Sequence, residues 1–172
     1  KGYAGDIIGL FDPGIFSIGD TLSENDMNVV YEDIPSFSPE IFARVHVSDS
    51  MKRKQFQKGM SQLAQEGAIQ IFKEINIGIE EYVVGAVGVL QLEVLEYRLK
   101  NEYGAQPSVN RMSFRFARWI TSNVEDPDEL KLTSTTKIVH DSNDRFVLLF
   151  ENQWSIDWAL ENNKGLELID HM

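Results

Sequence analysis

The chain has 172 residues, of which 42% are hydrophobic and 25% are charged, so it can build a core and need not be disordered. It contains no cysteine, which excludes a disulfide framework, a thiolate metal site and a cysteine nucleophile. Its formal net charge of −11 argues against nucleic-acid binding by the whole surface, so any contact with RNA requires a local cluster of basic side chains.

Residues 1–35 have the pattern of short β-strands joined by turns. Asp6–Phe11 and Ile15–Ile18 are apolar runs, and the turn sequence Asp12-Pro13-Gly14 separates them. So short a stretch cannot bury a core alone, and we therefore expect it to be the end of a larger β-barrel domain. From the start at Lys1, instead of a methionine, we expect a cut or processed chain rather than a natural start.

The prolines at positions 35 and 39 block both helix and central strand, so they predict a domain boundary and a second domain over residues 36–172. Its hydrophobic periodicity changes several times, which predicts the order β-α-β-β-α-β of a split βαβ, or ferredoxin-like, core. The fold class is therefore α+β. The predicted strands and helices are, in order, 41–47, 49–66, 68–75, 81–86, 88–103 and 109–120.

Alternation along the strands and 3.6-residue spacing along the helices predict which side chains are buried. On the first strand Ile41, Ala43, Val45 and Val47 share one face, and Phe42, Arg44 and His46 share the other. The predicted core of the helices consists of Phe56, Met60 and Leu63 on the first and Leu90, Val94 and Tyr97 on the second. On the long strand over 109–120, Met112, Phe114 and Phe116 face one way, and Arg111, Ser113 and Arg115 the other.

An additional strand-helix-strand extension follows the core. Asp126–Glu129 has the sequence of a helix start, and residues 136–140 and 145–151 read as strands around the polar turn 141–144. Residues 155–162 then predict a helix, and 166–169 a last strand. We expect all three tryptophans to be in the core, with two of them packing inward together at i, i+4: Trp119, Trp154 and Trp158.

The sequence shows no residues arranged for chemistry. It has no phosphate-binding loop of the G-x-x-x-x-G-K-[ST] type, and the histidines His46, His140 and His171 are not spaced as metal ligands. The turn 141–144 begins like a calcium loop but lacks its glycine and distal glutamate. We therefore expect this chain not to be an enzyme. An apolar run of membrane-spanning length and a leader are also missing, which predicts a cytoplasmic location.

Three groups of segments carry a resemblance to a known family. Residues 3–10 and 18–22 resemble the end of the β-barrel domain of translational GTPases. Residues 84–94 resemble the strand-to-helix junction of the third domain of those factors, with Leu90-Gln91-Leu92 where elongation factor G usually has Leu-His-Leu. The segments that are similar to the third domain of the release factor 3 family are 37–45, 52–55, 62–68 and 117–120.

The resemblance implies a GTP-driven termination factor that helps class-1 release factors to leave the ribosome. GTP or GDP with magnesium would bind in an upstream GTPase domain outside this sequence. The partners implied are the small-subunit side of the ribosome, the GTPase domain of the same protein and, functionally, the class-1 release factors. Membrane and DNA contacts are not expected. This segment would relay nucleotide state to ribosome contact without catalysing a reaction itself.

Two groups of basic residues are candidates for ribosome contact. Lys52, Arg53, Lys54 and Lys58 crowd the first turns of the first helix, where they either contact RNA phosphate or an acidic protein, or form an ordinary solvated face. The second group is expected on the sheet face opposite the helices, which either binds RNA or packs against the rest of the protein. Its members are Arg44, His46, Arg111 and Arg115.

Two other functions stay open at this point, besides a plain RNA-binding module, which the net charge of −11 and the missing aromatic signature disfavour. The chain could be a fragment of another translational GTPase, such as an elongation factor G-like protein, which would continue with more domains. It could also be a small-molecule regulatory domain of the same ferredoxin-like architecture, which predicts a polar pocket at a helix–strand edge.

Overall fold

The computed structural model describes residues 2–11, 15, 16, 19–24, 31, 37–74, 81–124 and 126–171. Contacts divide the chain into two units, Lys1–Ile34 and Pro35–Met172. The assignment of the first unit to a β-barrel remains a prediction.

The described residues of the first unit form turns and irregular backbone instead of strands. Asp6 accepts a hydrogen bond from the N–H of Tyr3 at 2.8 Å, and its own N–H donates to the Tyr3 carbonyl at 3.0 Å. The strand predicted over Asp6–Phe11 is therefore wrong, because no strand among the described residues pairs with its backbone groups. The turn at 12–14 and part of the next predicted strand, residues 17 and 18, lie outside the described residues.

Eight strands of the described second unit form one antiparallel sheet in the order β4-β1-β3-β2-β6-β7-β5-β8. Three α-helices accompany them in these residues, which confirms the α+β class. The strands are β1 Ile41–Val47, β2 Gln70–Glu74, β3 Glu81–Ala86, β4 Pro107–Arg111, β5 Phe116–Ile120, β6 Thr136–His140, β7 Phe146–Phe150 and β8 Leu168–Ile169. The helices are α1 Arg53–Gln65, α2 Val89–Asn101 and α3 Gln153–Asn162, with 3-10 turns at Ser50–Lys52 and Pro127–Glu129.

The long strand predicted over residues 109–120 is two strands. β4 pairs with β1, whereas β5 pairs with β7 and β8 in the other half of the sheet. Between them the N–H of Met112 donates to the carbonyl of Phe42, and that of Arg115 donates to the carbonyl of Phe150. The backbone therefore crosses from the first half of the sheet to the second while the alternating sequence pattern continues.

The described residues of the second unit form three apolar cores. The first lies between α1, α2 and one face of strands β1 and β3, and Ala43 and Val45 point into it as predicted. The second joins the two halves of the sheet, with Phe42 and Phe72 packed against Trp119 and Leu149. The third lies beneath α3, on the other face of β7. The C-terminal extension thus covers the face of the first half that is opposite α1 and α2.

Gly67 and Gly104 follow the ends of α1 and α2 with φ of 71° and 63°, which confirms the predicted helix stops. Gly85 allows a close approach, because a Cβ there would lie 2.8 Å from Pro39 Cβ and 2.9 Å from Phe72 Cε2. Gly88 does not need to be glycine for its backbone, since its φ of −147° is an extended conformation that any residue adopts.

The polar sequence at 141–144 is a β-turn, as predicted. Asp141 accepts hydrogen bonds from the N–H groups of Asn143 and Arg145 and from the indole of Trp119, at 2.9, 3.0 and 2.9 Å. Burial by itself would raise the pKa of Asp141, but these bonds and the Arg145 guanidinium outweigh it and hold the pKa below its usual range. An ionised Asp141 therefore fixes the β6–β7 turn against β5.

Candidate functional site

The basic cluster of residues 52–58 lies on the 3-10 turn before α1 and on the first two turns of the helix. Asp49 caps the 3-10 turn by accepting the N–H of Met51 at 2.9 Å, but Lys52, the N-cap of α1, makes no side-chain cap hydrogen bond. The first turn of α1 carries no acidic residue. Positive side chains therefore lie at the positive end of the helix dipole, an arrangement that a bound anion would stabilise.

The side chains of this cluster differ in exposure. Lys54 and Lys58 are exposed and, at spacing i, i+4, lie on the same side of α1. Arg53 is also exposed, whereas Lys52 is half-buried beside the C-terminal end of α2, near Gly104. The buried stripe of α1 is Phe56, Met60 and Leu63, as predicted. The cluster consequently points away from the core.

Arg44 is held in an internal ion-pair network. Its Nη2 donates to Oε1 of Glu74 at 2.7 Å, and its Nε lies 3.6 Å from Oε2 of Glu81. On the other side Nζ of Lys137, from the C-terminal extension, donates to Oε2 of Glu74 at 2.8 Å. Burial opposes the charge of Glu74, but these two cations outweigh it and hold its pKa below the usual range. The network thus links β1 and β2 to β6.

The three arginines expected on one sheet face are not together. Arg111 pairs with Ala43 across β1 and β4, so it lies on the helix side of the sheet, whereas Arg44 points to the opposite side. Arg115 is exposed in the connection between β4 and β5. The expectation of a shared basic face is therefore wrong, because register places Arg111 opposite a helix-facing residue. Much of that face packs against the extension, which is the alternative that the sequence left open.

A groove of about 730 Å³ lies at the edge between α1 and strands β2 and β3. Its lining mixes apolar and polar side chains, including Ile71, Tyr82 and Ser61. Glu74, which also lines it, already pairs with Arg44 and Lys137. Among the described residues there is no group of three or more His, Cys, Asp or Glu side chains that could hold a metal ion. In the same residues no helix is long and apolar enough to cross a membrane.

Two surface features differ from the sequence expectation. The side chains predicted in the core of α2 are outside, with exposures of 69% for Leu90, 41% for Val94 and 67% for Tyr97, and the opposite face is buried instead. Trp154 and Trp158 pack together as predicted, but they are 61% and 39% exposed. The residues that α2 buries are Leu92, Leu95 and Leu99. Those that α3 buries are Ser155, Ile156 and Ala159.

Comparison with known proteins identifies the class to which this fold belongs. The model of the family described as "Class II release factor RF3, C-terminal domain" matches residues 31–160, which include the basic cluster and most of the sheet. The chain therefore belongs to this family.

Three similar relatives are peptide chain release factors 3 from different bacteria. It is 48% identical to peptide chain release factor 3 of Enterococcus faecalis and 46% identical to that of Symbiobacterium thermophilum, in each case over 96% of the chain. It is 43% identical to peptide chain release factor 3 of Listeria monocytogenes over 98% of the chain. The chain spans 31% of the length of each of these relatives, so activities of the whole proteins are not carried over by the match alone.

Proposed function

We propose that this chain is the ribosome-binding, non-catalytic C-terminal part of a GTP-dependent translation termination factor. In this proposal the whole protein promotes the release of class-1 release factors from the ribosome in the cytoplasm. GTP or GDP with magnesium binds in a separate GTPase domain of the same protein, and the segment relays its nucleotide state to the ribosome. Membership of the release factor family supports this role.

The observation that carries the proposed contact is the basic cluster at the start of α1. The chain has 16 basic and 27 acidic residues, yet four cations fall within seven positions, Lys52–Lys58, without an acid among them. Each exposed cation at this end of a helix costs about 0.3–1 kcal/mol of local stability. Ribosomal RNA phosphate offers the complementary charge, and its binding would release counterions.

The test exchanges the two exposed lysines of one helix side, Lys54→Glu and Lys58→Glu, in the 172-residue chain. Affinity for purified ribosomes is measured by co-sedimentation over a range of salt concentrations. If these side chains contact phosphate, affinity falls and the slope of log affinity against log salt decreases by roughly 1–2.

A matched control makes the same charge change elsewhere, at the exposed positions Lys73 and Lys131. That variant should keep the wild-type salt slope. An unchanged affinity and slope in the Lys54 and Lys58 variant would reject the contact, and an equal loss in both variants would assign the effect to net charge.

The two other candidate functions are less well supported. A fragment of an elongation factor G-like protein would not match a release factor family over three quarters of its length, since the match covers residues 31–160 of 172. A small-molecule regulatory role would use the groove beside α1. The carboxylate of Glu74 in that groove, however, is engaged by two cations of the protein itself.

A further inference from the structure

The outer side of α3 carries an exposed pair of indole rings. The ring centroids of Trp154 and Trp158 lie 5.6 Å apart with an interplanar angle of 40°. Burial of large aromatic side chains is strongly favourable, and 61% of Trp154 is nevertheless exposed. The pair therefore offers a preformed aromatic surface.

The orientation of α3 is fixed from its buried side. Asn152 caps the helix by accepting the N–H of Ser155 at 2.9 Å, and the buried hydroxyl of Ser155 lies 2.9 Å from that of Thr135. Ala159, one turn later, is also fully buried. These small residues let α3 approach β7 closely, and the two indoles are consequently held on the outside.

Two exposed carboxylates lie beside the indoles on α3. Asp157 and Glu161 are exposed on the same helix, and the sequence Gln153–Asn162 contains no lysine or arginine. Glu161 follows Trp158 by three residues, and Asp157 follows Trp154 by three, so each carboxylate lies beside an indole on the helix surface. Indole faces attract cations through their quadrupole, and the carboxylates attract the same charge.

We propose that Trp154, Trp158 and the two adjacent carboxylates form a binding surface for an arginine- or lysine-rich segment of a basic protein. An arginine guanidinium stacks on an indole while its N–H groups donate to Asp157 or Glu161. Single-stranded RNA would also stack on exposed indoles, but the carboxylates repel its phosphates. This surface does not depend on the proposed contact of the α1 cluster.

The proposal is tested with the 172-residue chain and a fluorescein-labelled peptide of alternating arginine and alanine, by fluorescence anisotropy. The double variant Trp154→Ala, Trp158→Ala should bind about tenfold more weakly than the wild type. The variant Asp157→Asn, Glu161→Gln, which keeps both indoles, should lose roughly threefold and show a weaker salt dependence. Circular dichroism verifies that each variant is folded.

Matched controls separate the possible causes. A peptide with citrulline in place of arginine has the same shape without the charge and should bind weakly to every variant. The variant Glu93→Gln, Glu96→Gln removes two exposed carboxylates from α2 and should leave affinity unchanged.

Four results would overturn the proposal: equal affinity for the citrulline peptide, full affinity in the tryptophan variant, tryptophan-dependent binding of a labelled oligouridine in preference to the arginine peptide, or tryptophan-dependent self-association in sedimentation.

Discussion

The choice of buried face on α2 can be tested by two leucine-to-alanine substitutions on the same helix. Leu95 is 1% exposed and belongs to the core beneath α1 and α2, whereas Leu90 is 69% exposed. Removing a buried leucine costs the transfer free energy of the lost atoms and leaves a cavity, together about 2–5 kcal/mol. Leu90→Ala removes few contacts and replaces leucine by a better helix former, so we expect a change within about 0.5 kcal/mol.

The measurement is urea unfolding of the wild type and both variants, followed by far-ultraviolet circular dichroism, with the free energy of unfolding extrapolated to water. Leu95→Ala should lower the urea concentration at the midpoint of unfolding strongly, with little change in the dependence of free energy on urea. The unfolding curve of Leu90→Ala should coincide with that of the wild type. If Leu90→Ala cost as much as Leu95→Ala, the face that the sequence predicts would also be buried, and the surface described for α2 would be wrong.

The remaining predictions concern close packing and an ionised turn. Gly85→Ala should lower the free energy of unfolding by about 1–3 kcal/mol, because the added Cβ would collide with Phe72 in the core. Gly88→Ala meets nothing within 4 Å but replaces the N-cap of α2, so it should cost at most about 1 kcal/mol in the same urea experiment. The lowered pKa of Asp141 means that its ionised form stabilises the folded state above the unfolded-state pKa, about 4, and this contribution is lost as pH falls through the lower folded-state pKa. Between about pH 5 and 3 the free energy of unfolding should therefore decrease less for Asp141→Asn than for the wild type. Identical pH profiles of the two proteins would contradict the role of the pair between Asp141 and Arg145.

The strands of the first half-sheet could be predicted because their two faces differ in chemistry. On β1 the residues Ala43 and Val45 face the helices, while Arg44 faces the other side, and period-2 alternation identifies both sets. The ends of α1 and α2 could be predicted equally well, because the positive φ that a helix stop requires favours glycine. Gly67 and Gly104 adopt this conformation. In each case the local preference of the sequence and the tertiary contacts favour the same structure.

Predictions from local sequence patterns failed where strand pairing and register depend on tertiary contacts. The alternation from β4 continues into β5, and nothing in the sequence marks that the chain leaves β1 and joins β7 at this point. The position of Arg111 depends likewise on register with Ala43, which a pattern within one strand does not define. A strand's faces can thus be predicted from its own residues, but its neighbours cannot.

The helices show why the candidate surfaces were harder to predict than the fold. α2 carries two apolar stripes on opposite sides, Leu92, Leu95 and Leu99 on one and Leu90, Val94 and Tyr97 on the other, so periodicity alone cannot select the buried stripe. On α3 the selection follows size, because Ser155 and Ala159 permit a closer approach to the sheet than the tryptophans would.

Exposed apolar side chains that pack together as a patch are a stronger indication of a binding partner than an exposed charge, because exposed charge is the ordinary state of a protein surface. By this criterion the indole pair of α3 is the more informative surface, although the basic cluster of α1 is easier to recognise in the sequence. The two surfaces carry opposite charge: Lys54 and Lys58 suit an anionic partner, and Asp157 and Glu161 suit a cationic one. An assembly of RNA with basic proteins offers both kinds of partner, and the lysine and tryptophan variants should therefore lose affinity for different components of it.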